Sequence, residues 1–567
     1  MVKYYMYKKT PPQQKLFGIE TQISPSLRNR LESSWALLFR REILPILFRK
    51  EDEYALLYGK TGRPNFSVAR LLGLCLLQEW NDLSDQEALD TFSFDVRWRY
   101  ALDVSDEDYL SRRSLVEFRR RLAAKDPEMK LVRGVFDSVR DSAIDKLGLS
   151  VTHQRLDSTH IISNIRVRGR VALFTNTMGL FLKSLDKDHF AQVPAPIREW
   201  HTREPEGWFG LGPAEQKTKL EELAQYLYEL IVIFEKDEPG EPYQLLTRLF
   251  SEQCECSEDK VQVKTKSEGA TLQSPYDPDA SCGHKGPGYS AHLTETCNNE
   301  GKPEIITDYE VHGAARSDIG KALSVIERLA GCKPDTLFAD GGYPSVPSAL
   351  KVKEQGIEFI APVNRSRLKD EVVGRDQFQF EEGLVTQCPQ GHKPIDHRVL
   401  SGNNSTRRSL HAVFDGNLCR VCVMLDRCPV RAPNHRSKGC SSRDTTGDFR
   451  LEITPEILLR DQMYALQQTT EWKDRYKIRA GIEATNSELK RAHGIGRLRV
   501  RRLAKVCFAV ACKIIACNIK RWAKARISLK RILQGCISSL WVCVKSFMSD
   551  LIGRALFKKQ IAMVVAI

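Results

Sequence analysis

The sequence has no long apolar run. Toward its C-terminal end the longest uncharged apolar stretch, residues 532–544, is shorter than the roughly 20 residues that span a bilayer. The first residues, MVKYYMYKKTPPQQ, contain no apolar core of signal-peptide length. We therefore expect a cytoplasmic protein with no membrane partner. Its 16 cysteines are then expected to be buried thiols or metal ligands rather than disulfides.

Acidic residues are missing from residues 489–549, a segment that contains fifteen lysines and arginines. Over all 567 residues the formal net charge is +14. Basic side chains gain affinity for polyanions by displacing counterions from phosphates. The charge therefore favours a polyanionic partner, although the total alone does not separate nucleic acid from a membrane surface.

The chain is long for a single hydrophobic core, and its hydrophobic fraction of 42% is typical of a globular protein. Residues 24–145 show apolar clusters at helical spacing. Beyond them, strand-like runs at 154–162, 288–297, 303–312, 336–343 and 357–364 alternate with helical patterns at 317–331 and 345–355. This order predicts an α/β fold with a mixed sheet.

Two long segments interrupt the alternation. Residues 166–262 are strongly helical, and residues 373–450 carry a cysteine cluster. We therefore predict a helical N-terminal domain over residues 1–148 and an α/β domain over 149–510 that contains both insertions. A basic and apolar helical tail is predicted over 511–567.

Two aspartates lie in or directly after apolar strands. Asp157 is in the middle of QRLDSTHII, where a buried carboxylate is costly unless a cation accompanies it. Asp340 closes LFAD, and the glycines behind it let backbone or substrate approach closely. Each aspartate alone is equally consistent with capping a turn or a helix, so a third acid is needed to support a catalytic site.

Helix geometry selects the third acid. Tyr476, Arg479, Glu483 and Lys490 are offset by 3, 7 and 14 residues, which at about 100° per residue places them within a stripe roughly 60° wide. Glu488 lies about 140° from Glu483 on the same predicted helix. A lone helical glutamate is usually solvated, whereas this combination on one face favours a site that contains Glu483.

Three further aspartates are alternatives. Asp277 and Asp279 precede a predicted strand, where they either line a cleft or shape a turn, and the turn is the preferred interpretation. Asp318 is expected to cap a helix.

Four cysteines of the second insertion have a spacing compatible with tetrahedral zinc. They are Cys388, Cys419, Cys422 and Cys428. The spacing departs from a pair of CxxC motifs, so reduced, buried cysteines without metal are the alternative. His392 and Cys440 are alternative ligands. A zinc ion here would stabilise the insertion rather than take part in the chemistry.

A basic segment at residues 493–506 follows the predicted helix. Its arginines are Arg497, Arg499, Arg501 and Arg502. Such a cluster suits contacts with a DNA backbone, with a solvated basic face as the alternative. The apolar side of the next helical pattern is expected to complete the core.

These motifs together resemble a known family. The spacing of Tyr476, Arg479, Glu483 and Lys490 resembles the signature of insertion-sequence DDE transposases, which have a ribonuclease-H-like core. The segments DST at 157–159 and DGGY at 340–343 resemble those around the two aspartates of that family. Residues 62–102 resemble the helical domain that precedes the core in the InsH-like branch, and the similarity is closest to the group named after insertion sequence eleven-eighty-two.

The resemblance implies a bacterial DNA transposase with a ribonuclease-H-like mixed sheet. Asp157, Asp340 and Glu483 would hold two Mg²⁺ or Mn²⁺ ions for strand cleavage and strand transfer. Arg479 and Lys490 would neutralise phosphates, and Tyr476 would contact the scissile strand. The expected partners are double-stranded DNA, as terminal inverted repeats and target, and a second copy of the chain. The expected location is the nucleoid.

Two other functions remain open. A degenerate transposase could survive as a DNA-binding protein, and a metal-dependent nuclease could hydrolyse nucleic acid without strand transfer. The intact acids disfavour the first, and the basic helical N-terminal region disfavours the second.

Overall fold

The computed structural model describes residues 5–10, 19, 23–105, 108–165, 169–203, 212–236, 240–257, 260–265, 270–319, 321–329, 331–363, 373–401, 408–431 and 447–529. None of the helices within these ranges combines the length and apolarity needed to cross a membrane.

The N-terminal region is helical, as its apolar spacing predicts. Polar side chains start its helices: Ser67 accepts a hydrogen bond from the Arg70 N–H, and Ser84 and Glu87 form a capping box. A π-helical turn (Phe39–Ile43), a 3-10 helix (Glu51–Leu57) and a parallel pair of short strands, β1 (Tyr5–Met6) and β2 (Arg63–Pro64), complete it. The α-helices are α1 (Pro25–Glu32), α2 (Trp35–Leu38), α3 (Leu44–Lys50), α4 (Val68–Trp80), α5 (Asp85–Phe94), α6 (Val96–Leu102), α7 (Arg112–Lys125) and α8 (Lys130–Leu147).

Strand β3 (His153–Ile161) leads into the first insertion, which is helical as predicted. Its helices are α9 (Arg170–Ser184), α10 (Lys187–Gln192), α11 (Ala195–Thr202), α12 (Pro213–Phe234) and α13 (Glu241–Gln253). An antiparallel hairpin of β4 (Cys254–Ser257) and β5 (Lys260–Val263) follows them. Phe174, Leu227 and Leu246 are fully buried in a hydrophobic core that belongs to this insertion.

The chain then returns to build the central sheet around β3. The elements that follow are β6 (Ser281–Gly283), β7 (Gly286–Thr296), β8 (Ile306–Gly313), α14 (Lys321–Arg328), β9 (Thr336–Ala339), α15 (Val346–Glu354) and β10 (Glu358–Ile360). The order across the sheet is β8-β7-β3-β9-β10, with β6 paired to β7. Because β7 is antiparallel to β3 and β8 while β9 and β10 run parallel to β3, the sheet is mixed. The predicted strands and the two predicted helices between them are confirmed.

The second insertion contains strands that the sequence analysis did not predict. They are β11 (Gln379–Glu381), β12 (Leu384–Gln387), β13 (Asp396–Ser401), β14 (Arg408–Phe414) and β15 (Phe449–Ile453), all paired antiparallel. A short helix α16 (Gly416–Arg420) and 3-10 turns (Arg375–Gln377 and Leu425–Arg427) accompany them. Phe414, Phe449 and Leu451 are buried in a small core of their own.

The helical region that precedes the basic segment is interrupted. Helix α17 (Pro455–Gln468) is followed by α18 (Thr470–Tyr476), a 3-10 segment (Lys477–Gly481) and α19 (Ile482–Ala492). The assumption of a regular α-helix from Tyr476 to Lys490 is therefore wrong for its first turns. Helix α20 occupies residues 503–529.

One hydrophobic core joins the N-terminal helices, the sheet and α20. Phe136 of α8, Tyr289 of β7 and Trp522 of α20 are all buried in it. Phe136 packs edge-on against Tyr309 of β8 at 4.9 Å between ring centroids. The apolar side of α20 thus completes the core, and the division of the chain at residues 148 and 510 stays a prediction.

Candidate active site

Asp157 lies in the middle of β3, and its side chain is 12% exposed. Its Oδ2 accepts a hydrogen bond from Asn486 Nδ2 at 3.2 Å and lies 3.1 Å from Arg479 Nη2. Burial raises the pKa of Asp157, an effect that Arg479 opposes and the charge of Asp340 reinforces. The ionised form of Asp157 is therefore destabilised by burial despite Arg479, and a further cation would stabilise it.

Asp340 follows the last residue of β9, the parallel neighbour of β3. The register pairs Leu156 with Ala339, so the two aspartates that follow occupy adjacent positions on neighbouring strands. The Asp340 side chain is 55% exposed, and Oδ1 accepts a hydrogen bond from the Gly341 N–H at 2.7 Å. Strand pairing therefore brings the two predicted aspartates together.

Glu483 opens α19 opposite this edge, and its side chain is 65% exposed. Arg479 donates to Glu483 Oε1 at 3.0 Å through Nη1, while Nη2 lies 3.9 Å from Asp340 Oδ2. One guanidinium thus contacts all three predicted acids. The structure brings Asp157, Asp340 and Glu483 together around Arg479.

The donor set fits divalent metal ions. Hard cations such as Mg²⁺ and Mn²⁺ prefer carboxylate and amide oxygens. Asn486 Oδ1 is buried beside Asp157 and has no hydrogen-bond partner among the residues described. Within those same residues, the oxygens of the three acids do not all lie within 4.8 Å of one another.

The remaining residues of the predicted stripe differ in their surroundings. Tyr476 is half-buried and stacks on Trp472 at 4.8 Å, next to Phe338 and Ile360. Burial raises its pKa. Lys490 is exposed two turns beyond Glu483. Tyr476 therefore has a packing role in addition to any contact with DNA.

A buried ion network holds the 3-10 segment and α19 against the sheet. Glu295 of β7 is fully buried and pairs with Arg155 at 2.7 Å and with Arg521 at 3.1 Å. It also accepts a hydrogen bond from Thr485 Oγ1 at 2.5 Å. Arg155 in turn donates to the Ile478 carbonyl at 3.0 Å. These contacts place the segment that carries Arg479 and the start of α19.

Asn486 is one functional residue that the sequence analysis missed. It lies three residues after Glu483 on α19, about 60° around the helix axis. A search for neutral amides on the face that carries the acid would have found it.

A series of buried hydrogen bonds that links His312, His292 and Tyr343 was also missed. His312 donates from Nδ1 to the Gly313 carbonyl at 2.9 Å, so its Nε2 accepts from His292 Nε2 at 2.6 Å. His292 Nδ1 then accepts from the Tyr343 hydroxyl at 2.6 Å. Burial lowers the pKa of His292 to about 3, which keeps its imidazole neutral. The tyrosine of DGGY is thereby anchored to β7.

Asp318 was predicted to cap a helix, but its carboxylate faces the site. It accepts a hydrogen bond from Ser158 Oγ at 3.3 Å and lies 3.5 Å from His292 Nε2. Its position three residues before α14 gave the misleading signal. Asp318 also lines a cleft of about 740 Å³ beside the acids, together with His160, His284, Lys285 and Arg316.

Asp277 and Asp279 belong to a turn, which was the preferred interpretation of their position in the sequence. Their carboxylates accept hydrogen bonds from the Arg502 and Leu503 N–H groups at 2.8 and 2.9 Å, where α20 begins. They therefore cap α20 and stay outside the acid cluster.

The predicted basic segment extends the sheet beyond β3. The Ile162 N–H donates to the Gly496 carbonyl at 3.0 Å, and the Leu498 N–H donates to the Ile162 carbonyl at 2.8 Å. Its four arginines are exposed. Arg499 pairs with Asp82, Arg502 pairs with Glu241, and Arg501 lies over the ring of Tyr276.

All four candidate zinc ligands belong to the core region of the second insertion: Cys419 is buried in it, and Cys388, Cys422 and Cys428 pack against it. Burial and the neighbouring thiols of Cys428, Cys388 and Cys422 raise the pKa of Cys419 to about 12. The Cys388 sulfur accepts a hydrogen bond from the His392 N–H at 3.3 Å. The four thiols therefore share one region, while Cys440 lies outside the described residues.

Two transposase families match the chain. The family described as Transposase DDE domain matches residues 387–523, which include Arg479, Glu483 and Lys490. The family described as Transposase domain (DUF772) matches residues 27–121 of the N-terminal helices. No curated protein and no solved structure matches the chain.

Proposed function

We propose that the chain is an insertion-sequence DDE transposase and that Asp157, Asp340 and Glu483 are its catalytic acids. The two transposase families that match residues 27–121 and 387–523 support this proposal. The function proposed is cleavage of DNA at the terminal inverted repeats of its element and transfer of the cut strands to target DNA. The observation that carries this proposal is the contact of all three acids with one guanidinium, that of Arg479.

The sheet supports the same proposal. Three antiparallel strands joined to two parallel ones, with the two aspartates at adjacent positions of neighbouring strands, fit a ribonuclease-H-like core. Membership of the insertion sequence eleven-eighty-two group stays a prediction. So does an assembly of two copies, which would hold the two ends of one element.

Each residue of the site has a distinct task in this proposal. Asp157, Asp340 and Glu483 would hold two Mg²⁺ or Mn²⁺ ions, which when bound activate the attacking oxygen and stabilise the leaving oxygen. Asn486 orients Asp157 through its amide. Arg479 offsets the mutual repulsion of the carboxylates.

DNA would lie across the basic side of the site. Lys490 and the exposed arginines of the basic segment at residues 493–506 would contact phosphates. Tyr476 would lie beside the scissile strand. The cleft that contains His284, Lys285 and Arg316 would hold the strand that flanks the cut. Each of the four arginines, Arg497, Arg499, Arg501 and Arg502, would contribute little to DNA affinity by itself. Three of them, Arg499, Arg501 and Arg502, already contact other groups of the protein. We also propose structural zinc at Cys388, Cys419, Cys422 and Cys428, and a nucleoid location.

The test is cleavage and joining of a labelled DNA that carries the end of the element, in Mg²⁺ or Mn²⁺. Glu483→Gln removes one carboxylate charge, so the variant should bind the DNA but neither cut nor join it. Glu471→Gln, an exposed glutamate in the first turn of α18, is the matched control and should retain activity. Unchanged metal-dependent activity in Glu483→Gln would show that another acid completes the site. Cutting without joining would favour a nuclease.

A further inference from the structure

A second cluster of potential metal ligands lies at the opposite end of α19 from Glu483. Glu488 and His493 come from the last turn of α19 and the residue after it, and Cys517 comes from the middle of α20. One ligand atom from each lies within 4.8 Å of the other two. Ligands around a tetrahedral zinc ion are separated by roughly 3.5 Å, so small side-chain movements would close the cluster.

His493 has the tautomer that a ligand requires. Its Nδ1 lies 3.2 Å from the Glu79 carbonyl oxygen, which can only accept, so Nδ1 carries the proton. Nε2 therefore presents a lone pair. The side chain is 0% exposed, and Nε2 has no hydrogen-bond partner in the part of the chain that the structure describes. Burial lowers the pKa of His493 to about 4, so the ring is neutral near pH 7.

The other two side chains leave a donor atom available. Both contacts of Arg521 with Glu488 are to Oε2, at 3.0 Å. The second carboxylate oxygen is therefore not used by Arg521. Cys517 is a fully buried free cysteine. Burial raises the pKa of its thiol to about 12, so a metal ion would have to displace the proton.

We propose that Glu488, His493 and Cys517 bind one zinc-class divalent ion that ties the end of α19 to α20. One imidazole, one thiolate and one carboxylate form a donor set that zinc accepts. The two anionic ligands balance the charge of the ion. The hydrogen bond from His493 to Glu79 is the outer contact that fixes a metal-bound histidine. The Glu488 side chain is 26% exposed, which leaves room for water as fourth ligand.

The site goes beyond the proposed catalytic function. It is separate from the three acids and from the cysteines of the second insertion. Its role would be to hold α19, the helix that carries Glu483 and Asn486, against the core. Loss of the ion would then weaken the packing of the C-terminal end of α19 against α20.

The test is metal binding by the full chain, measured as metal content after loading with Zn²⁺ and as cobalt-to-thiolate absorption with Co²⁺. Cys517→Ser and His493→Gln should each lose one equivalent of metal. Cys507→Ser, on α20 outside the cluster, should lose none. A Cys388→Ser chain should keep the cobalt-to-thiolate band of the Cys517 site.

Equal metal content in the native chain, Cys517→Ser and His493→Gln would overturn the proposal, as would complete loss of cobalt absorption in Cys388→Ser. If a buried variant fails to fold, Glu488→Gln at the partly exposed position decides. It should weaken binding of the corresponding Zn²⁺ equivalent by about tenfold or more, and unchanged affinity would count against the site.

Discussion

At the scale of single residues, Asn486, which contacts Asp157, is as informative about metal binding as the acids themselves. Asn486 donates to one oxygen of Asp157 and keeps its own oxygen buried and unpaired within the described structure. A buried oxygen without a partner is unfavourable, and the metal ions proposed for this site would give Asn486 Oδ1 a cation to face. Asn486 should therefore support the metal affinity of the acids.

Asn486→Ala should reduce DNA cleavage by about tenfold or more, because residues that orient a metal ligand commonly contribute that much. Raising the Mg²⁺ concentration should recover part of the activity. The measurement is a metal titration of the cleavage rate. Ser487→Ala, about 100° around the same helix, is the control, and identical titrations for both variants would contradict the assignment.

The proximity of the three acids could be predicted because each follows a regular pattern in the sequence. Asp157 and Asp340 lie in or after apolar strands, and Glu483 is four residues from Arg479, which contacts all three acids. Asn486 and His292 carry no charge pattern that distinguishes them from packed polar residues. Asp318 was misread because its contact with Ser158, 160 residues away in sequence, exists only after the sheet has formed.

At the scale of elements, the central sheet was predictable and the second insertion was not. Helical patterns separate the last three strands of the sheet in sequence, and side chains of the sheet are buried in two different hydrophobic clusters. In contrast, β11 and β12 are short, and β14 pairs with β15 across a long intervening segment. The 3-10 segment at Lys477–Gly481 was missed because its residues have ordinary helical patterning, while its shape depends on Arg155.

Gly481 tests the 3-10 segment directly. A Cβ added there would overlap the Arg155 guanidinium, which contacts Glu295 and the Ile478 carbonyl. Gly481→Ala should therefore lower the free energy of unfolding by roughly 2 to 4 kcal/mol and reduce cleavage, since Arg479 belongs to the same segment. Denaturant unfolding and the cleavage assay measure the two effects.

Gly179→Ala is the matched control. Gly179 lies inside α9 with no atom within 4 Å of an added Cβ, so alanine should stabilise that helix by about 0.5–1 kcal/mol. Destabilisation of equal size in both variants would show that the loss at Gly481 is not caused by Arg155.

At the scale of the whole molecule, the N-terminal helices are fastened to the segment that follows α19. Lys513 of α20 is 3% exposed, and its ammonium lies 2.5 Å from Glu79 and 2.9 Å from Asp82. It also donates to the His493 carbonyl. Gly494, with φ of +62°, lets the Asp82 carboxylate approach where a Cβ would overlap it. Charged contacts thus reinforce the shared apolar core.

This arrangement predicts that the N-terminal helices, the central sheet and α20 unfold as one cooperative unit, because their buried side chains belong to one core. Hydrogen exchange followed by mass spectrometry should give a common opening free energy for peptides from α4, β7 and α20. Lys513→Met should lower the opening free energy of all three by roughly 3 kcal/mol, because the partly buried carboxylate of Glu79 and that of Asp82 lose a buried cation. Lys524→Met, at an exposed position of α20, should leave it unchanged. Earlier opening of α4 alone would instead establish the boundary at residue 148 as that of an independent domain.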